Sequence, residues 1–173
     1  MVTLTALFFL AVFASPAWSD TDTDSYRAVD DARLPHMKVS LLSDRAQIAP
    51  GAPLLLAVRL QPDEGWHSYW RNPGDTGKAT TINWTLPKGF YAGDIEWPVP
   101  ERINYEGLIN FGFHGDTWLL VPVSVPQLDK NIDVIELSAS IKWLVCKDVC
   151  IPQQAKLALR LPVMGHGSAT LMV

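Results

Sequence analysis

The 173-residue chain is short of cysteine, with two, and of basic charge, with 14 Lys and Arg against 18 Asp and Glu. Two cysteines exclude a disulfide-dense mini-scaffold and a four-cysteine zinc site. A formal net charge of -4 argues against the basic face of a nucleic-acid binder. No apolar run reaches the roughly 18 residues that a membrane-spanning helix needs. Also missing are an internal repeat, a low-complexity block and any useful length of helical 3.6-residue stripe. What the chain does have is 48% hydrophobic residues, enough for a real core, together with 7 Trp and 13 Pro. That mixture favours strands, turns and loops over a helical bundle.

Residues 4–14 (LTALFFLAVFA) form an uncharged apolar run suited to a signal-peptide core and too short to cross a bilayer. Ala17-x-Ser19 supplies a small-x-small cleavage pattern, although Met1-Val2-Thr3 brings no basic residue. Residues 1–19 are therefore expected to be a signal peptide, 20–36 a flexible acidic leader, 37–162 a single domain and 163–173 a frayed tail. Export leads to an oxidising compartment, where a cysteine pair can form a disulfide.

Short apolar runs then alternate with turn signals, predicting strands at 37–42, 53–60, 66–71, 80–86, 118–125, 132–145 and 155–161. Pro50-Gly51, Asn72-Pro73-Gly74-Asp75, Pro87-Lys88-Gly89 and His114-Gly115-Asp116 punctuate them. The expected fold is all-β, an immunoglobulin-like β-sandwich. Ile135, Leu137, Ala139, Ile141, Trp143 and Val145 alternate with polar residues, the mark of a strand with one buried face. Ala155, Leu157, Leu159 and Leu161 alternate likewise, so the two runs read as partner strands of a hairpin. Its tip carries Cys146-Lys147-Asp148-Val149-Cys150.

Strand parity places Cys146, next to inward Val145, and Cys150, in phase with Gln154, on the outer face. Extended chain would hold cysteines four positions apart at about 13 Å, beyond the roughly 7 Å reach of a disulfide. The pair is bridgeable only because the chain turns. One reading is a structural staple, although so small a ring contributes only about 2 kcal/mol by loop entropy. The other is a redox-active dithiol, exposed at a tip where an attacking thiolate can reach it. The spacing alone does not decide between them.

Trp66-His67-Ser68-Tyr69-Trp70-Arg71-Asn72-Pro73-Gly74-Asp75-Thr76-Gly77, Ile95-Glu96-Trp97-Pro98, Tyr105-Glu106-Gly107 and Trp143-Leu144-Val145-Cys146-Lys147-Asp148-Val149-Cys150-Ile151-Pro152 together resemble one family. It is the N-terminal periplasmic domain of the transmembrane disulfide reductase DsbD, with ScsB of the suppressor-of-copper-sensitivity group the nearer relative. The resemblance covers about 37–162. It implies a periplasmic immunoglobulin-like domain of a protein-disulfide reductase, needing no cofactor or metal. A membrane electron-transfer domain or protein would supply reducing equivalents, and thioredoxin-fold periplasmic proteins would receive them. Copper tolerance and cytochrome c biogenesis are processes such proteins serve. By the same resemblance Cys150 would form mixed disulfides, Cys146 would resolve them, and Tyr105, Glu106 and Gly107 would be a cap loop shielding the sulfurs. The best-known members separate the cysteines by a longer insertion, which leaves local geometry and redox poise open.

Other constellations point less far. Gly74-Asp75-Thr76-Gly77-Lys78-Ala79 lacks the phosphate-loop spacing and reads as a turn. His67 and His114 lack close ligand spacing for copper or zinc. Trp66, Tyr69, Trp70, Trp84 and Trp97 fit a sandwich core better than a sugar platform. Glu101 and Glu106 flank the cap as possible proton acceptors, with a solvated surface role the plainer reading. The alternative to a relay is a non-catalytic β-sandwich binding module with a structural disulfide.

Overall fold

The computed structural model describes residues 28–165, so the expected signal peptide, the leader before Ala28 and the tail after Gly165 lie outside the described residues. The described chain runs as β1 (Ala28–Leu34), β2 (Met37–Ser43), β3 (Leu54–Pro62), β4 (His67–Gly74), β5 (Thr81–Thr85), β6 (Tyr91–Ala92), β7 (Glu101–Tyr105), β8 (Leu108–His114), β9 (Thr117–Ser124), β10 (Val134–Cys146) and β11 (Cys150–Pro162). One sheet has the order β1-β2-β3-β9-β6, the other β11-β10-β4-β8-β7, with β5 also paired to β10. The two pack as an immunoglobulin-like β-sandwich.

The alternation read in the sequence is what builds the core. Val39, Leu41, Leu56, Val58, Leu119 and Val121 of the first sheet meet Leu137, Ile141, Val145, Leu159 and Leu161 of the second. All of these are at most 2% exposed, and each such side chain stabilises the fold by about 2 kcal/mol. Polar residues between them on β10, such as Glu136 and Lys142, stay exposed.

Three stretches depart from expectation. The leader was expected to be loose up to Leu34 and beyond, yet Ala28–Leu34 pairs with β2 over its whole length. Its charges hide it from a search for alternation, but at a sheet edge they find partners. Lys38 Nζ lies 3.0 Å from Asp31 Oδ2, Arg33 pairs with Asp63, and Asp30 Oδ2 accepts the Ala158 N–H at 2.8 Å. At the other end Met164 N–H donates to Ile48 at 2.8 Å, so the ordered chain runs past the expected boundary at 162. β7 and β8 were not predicted as strands either. The former exposes residues on both faces, so it carries no period-two signal.

Candidate functional site

β10 and β11 pair continuously from Val134↔Pro162 to Cys146↔Cys150, leaving Lys147, Asp148 and Val149 as the turn. Lys147 N–H donates to Val149 O at 3.1 Å and closes it. The paired cysteines have Cα atoms 4.2 Å apart and form a disulfide. The hairpin is thus the turn that bridging required.

The two sulfurs are not equivalent. Parity predicted both on an exposed outer face; Cys150 is exposed, but Cys146 is only 1% exposed. Cys146 does not join the core between the sheets. It is covered because β4 runs alongside, pairing His67 with Cys146, a neighbour that sequence distance concealed.

β4 brings a row of polar rings to the disulfide. His67 and Tyr69, two residues apart, share one face of the strand. Tyr69 Oη lies 3.8 Å from Cys150 Sγ and 3.2 Å from His67 Nε2. The His67 and His114 rings lie 5.3 Å apart across the β4–β8 pairing, and His114 Nδ1 lies 3.1 Å from Glu101 Oε2 on β7. His67 and Tyr69 are buried, while His114 and Glu101 face solvent. Burial first, and the neighbouring His114 charge second, push the His67 pKa down. Burial pushes the Tyr69 phenol up, partly offset by a hydrogen bond with the Thr76 side chain. Both groups are therefore neutral near neutral pH.

The turn between β4 and β5 lies over Tyr69. Asn110 Oδ1, buried on β8, accepts the Thr76 N–H at 2.9 Å and the Thr76 hydroxyl at 3.0 Å, holding the turn down. Gly77 adopts φ +92, and a Cβ there would stand 2.2 Å from the Tyr69 ring. Only glycine lets the backbone pass so close. The stretch read as a turn is one, and its job in the fold is to cover a tyrosine.

Tyr105, Glu106 and Gly107 sit elsewhere on the same sheet. Tyr105 pairs with Leu108, and Glu106 and Gly107 have φ of 50 and 85, a type I′ hairpin turn. Asn104 Oδ1 accepts the Gly107 N–H at 3.2 Å. β8 is seven residues long, which puts Leu108 about 20 Å from the His114 end beside the disulfide. An aromatic that does reach a sulfur is Tyr69. Of the predicted site residues, the fold brings Cys146 and Cys150 together and places the Tyr105–Gly107 turn apart from them. It adds Tyr69, His67, His114 and Glu101, whose shared strand faces were legible but whose strand neighbours were not.

One pleat below the disulfide, Leu144 pairs with Pro152 and lines an open cleft of about 350 Å³. Lys78, Lys142, Gln153 and Gln154 also line it.

A family model described as "Thiol:disulfide interchange protein DsbD, N-terminal" matches residues 38–162. Among solved structures, the N-terminal periplasmic domain of ScsB from Proteus mirabilis superposes with a TM-score of 0.59 at 22% identity. The match covers 78% of this chain and 51% of that one, so the chain spans about half its length. At that identity the likeness shows the fold alone. The N-terminal domain of DsbD from Neisseria meningitidis, in reduced form, gives a TM-score of 0.42 at 11% identity, over 77% of this chain and 88% of that one. Comparison with curated proteins finds no match.

Proposed function

This chain belongs to the family of DsbD N-terminal domains, and from that membership we propose that it relays reducing equivalents in the periplasm from a membrane electron carrier to thioredoxin-fold partners. The single observation behind this reading is the asymmetry of the pair, an exposed Cys150 bonded to a buried Cys146. Attack is confined to the accessible sulfur, and the protected one resolves the product.

Atoms and electrons balance as follows. In the reduced protein the Cys150 thiolate attacks one sulfur of a partner's disulfide; the new bond is Cys150–partner, and the partner's other sulfur leaves as thiolate. Cys146 then attacks Cys150 Sγ, re-forming the Cys146–Cys150 bond and releasing the second partner thiolate. The chain is oxidised by two electrons and the partner reduced by two. The two protons lost by the cysteines match the two that the partner's thiols take up. Recharging by the membrane carrier is the same sequence reversed.

A structural disulfide would behave differently in one experiment. Cys146→Ala protein should accumulate a mixed disulfide with a thioredoxin-fold partner, resolved only by added reductant, whereas Cys150→Ala should trap almost none. Equal trapping through both, or through neither with only lowered stability, would count for a staple and against the relay.

A further inference from the structure

Cys150 must shed a proton before it attacks, and a docked partner would cover the tip and exclude the water that otherwise takes it. Resting on the exchange reading above, we propose that Tyr69 and His67 form the proton acceptor for Cys150, with His114 and Glu101 standing behind His67.

The geometry supplies each handover. Tyr69 Oη is 3.8 Å from Cys150 Sγ on one side and 3.2 Å from His67 Nε2 on the other. A proton leaving the Cys150 thiol passes to Tyr69 Oη as the Tyr69 hydroxyl proton passes to His67 Nε2. The products are a Cys150 thiolate, an unchanged phenol and an imidazolium. When the disulfide is reduced again, the transfer runs backwards and the thiol recovers its proton. The step needs Tyr69 protonated and His67 neutral beforehand, and burial favours both states. The β4–β5 turn lies over the Tyr69 ring.

The groups facing His67 come from four directions. Tyr69 lies on its own strand, the sulfurs of Cys146 and Cys150 lie toward β10 and β11, His114 is on β8, and Glu101 on β7 acts through His114. Exposed Lys147 and Asp148 complete the set at the tip, Lys147 leaning against Gly65 just before β4. The neighbouring His114 charge disfavours charge on His67, and Glu101 Oε2 lies 3.1 Å from His114 Nδ1. Tyr69 touches the reacting sulfur and is a catalytic residue; His67, His114 and Glu101 are positioning residues acting through it.

The test is the rate at which the reduced protein reacts with oxidised glutathione from about pH 5 to about pH 9, spanning ordinary His and Cys titration. Tyr69→Phe keeps the ring and its packing. It should slow the reaction near neutral pH about tenfold and raise the apparent thiol pKa by about one unit. His67→Gln should lose the inflection at the acid end of the profile, and His114→Gln should move that inflection to higher pH. Loss of packing alone would scale the whole profile without moving an inflection. Tyr69→Phe and His67→Gln profiles that superimpose on wild type would overturn the proposal while leaving exchange intact. Mixed-disulfide trapping by Cys146→Ala, which does not depend on this row, shows separately whether the exchange reading stands.

Discussion

Two hairpins of the second sheet close on short turns, and they can be set side by side. At the β7–β8 tip, Glu106 and Gly107 join the paired Tyr105 and Leu108; both flanking side chains are about 40% exposed, and a Cβ on Gly107 would meet nothing within 4 Å. At the β10–β11 tip, three residues join a disulfide, one sulfur is buried, and β4 adds Tyr69 and His67 beside it. Each turn is made by its own backbone. The second becomes a chemical site only because strands distant in sequence surround it. Burial then does two things there, shielding one sulfur and tuning the side chains that face the other.

The largest expected break in this contrast comes from the glycines. Gly77→Ala drives a methyl into the Tyr69 ring at a left-handed position, combining overpacking with backbone strain, and should destabilise the fold by about 3 kcal/mol. Gly107→Ala meets open space and should cost only about 1 kcal/mol of backbone strain. Urea midpoints of the two variants should differ accordingly, and equal midpoints would dissolve the distinction between the tips.

Reducing the disulfide comes next. A ring this small restrains the unfolded chain little, so the dithiol form should lose about 2 kcal/mol at most and remain folded. A urea melt with and without reductant measures it, and unfolding on reduction would recast the bond as a staple.

A smaller effect tests the cap role suggested by family resemblance for Tyr105, Glu106 and Gly107. If that turn shields the sulfurs, Tyr105→Ala should let dithiothreitol reduce the pair several-fold faster. An unchanged rate would confine the shielding to β4 and the turn over Tyr69.

The smallest is a pH effect on stability. The folded His67 pKa is depressed, so the unfolded chain binds that proton more readily. The contribution is complete above the ordinary His value of 6.5 and is lost as pH falls below it toward the folded value. The melting temperature should drop on acidification through that window, and His67→Gln should flatten part of the drop. A steeper drop in the variant would contradict the burial argument.

Much of this was legible along the chain. Alternation from Ile135 to Val145 and from Ala155 to Leu161 announced the long hairpin and put the cysteines at its tip. Parity kept both cysteines out of the core between the sheets. It failed on the exposure of Cys146, because parity describes one strand and burial depends on the strand beside it. β1 escaped notice for the opposite reason, its Asp30, Asp31 and Arg33 looking like leader until β2 and its ion partners are alongside. His67 and His114 read as unconvincing metal ligands since nothing local indicates that β8 brings one to the other across the sheet.

The order of residues by itself determined that the chain forms strands, that two of them end in a cysteine pair, and that the pair can close, because periodicity and turn chemistry act over a few neighbouring positions. Tertiary structure alone decided which sulfur is hidden, which tyrosine meets the other and which histidines stand behind it. Those outcomes depend on strand pairing between segments as far apart as His67 and Cys146, and such pairing is set by how the whole core packs.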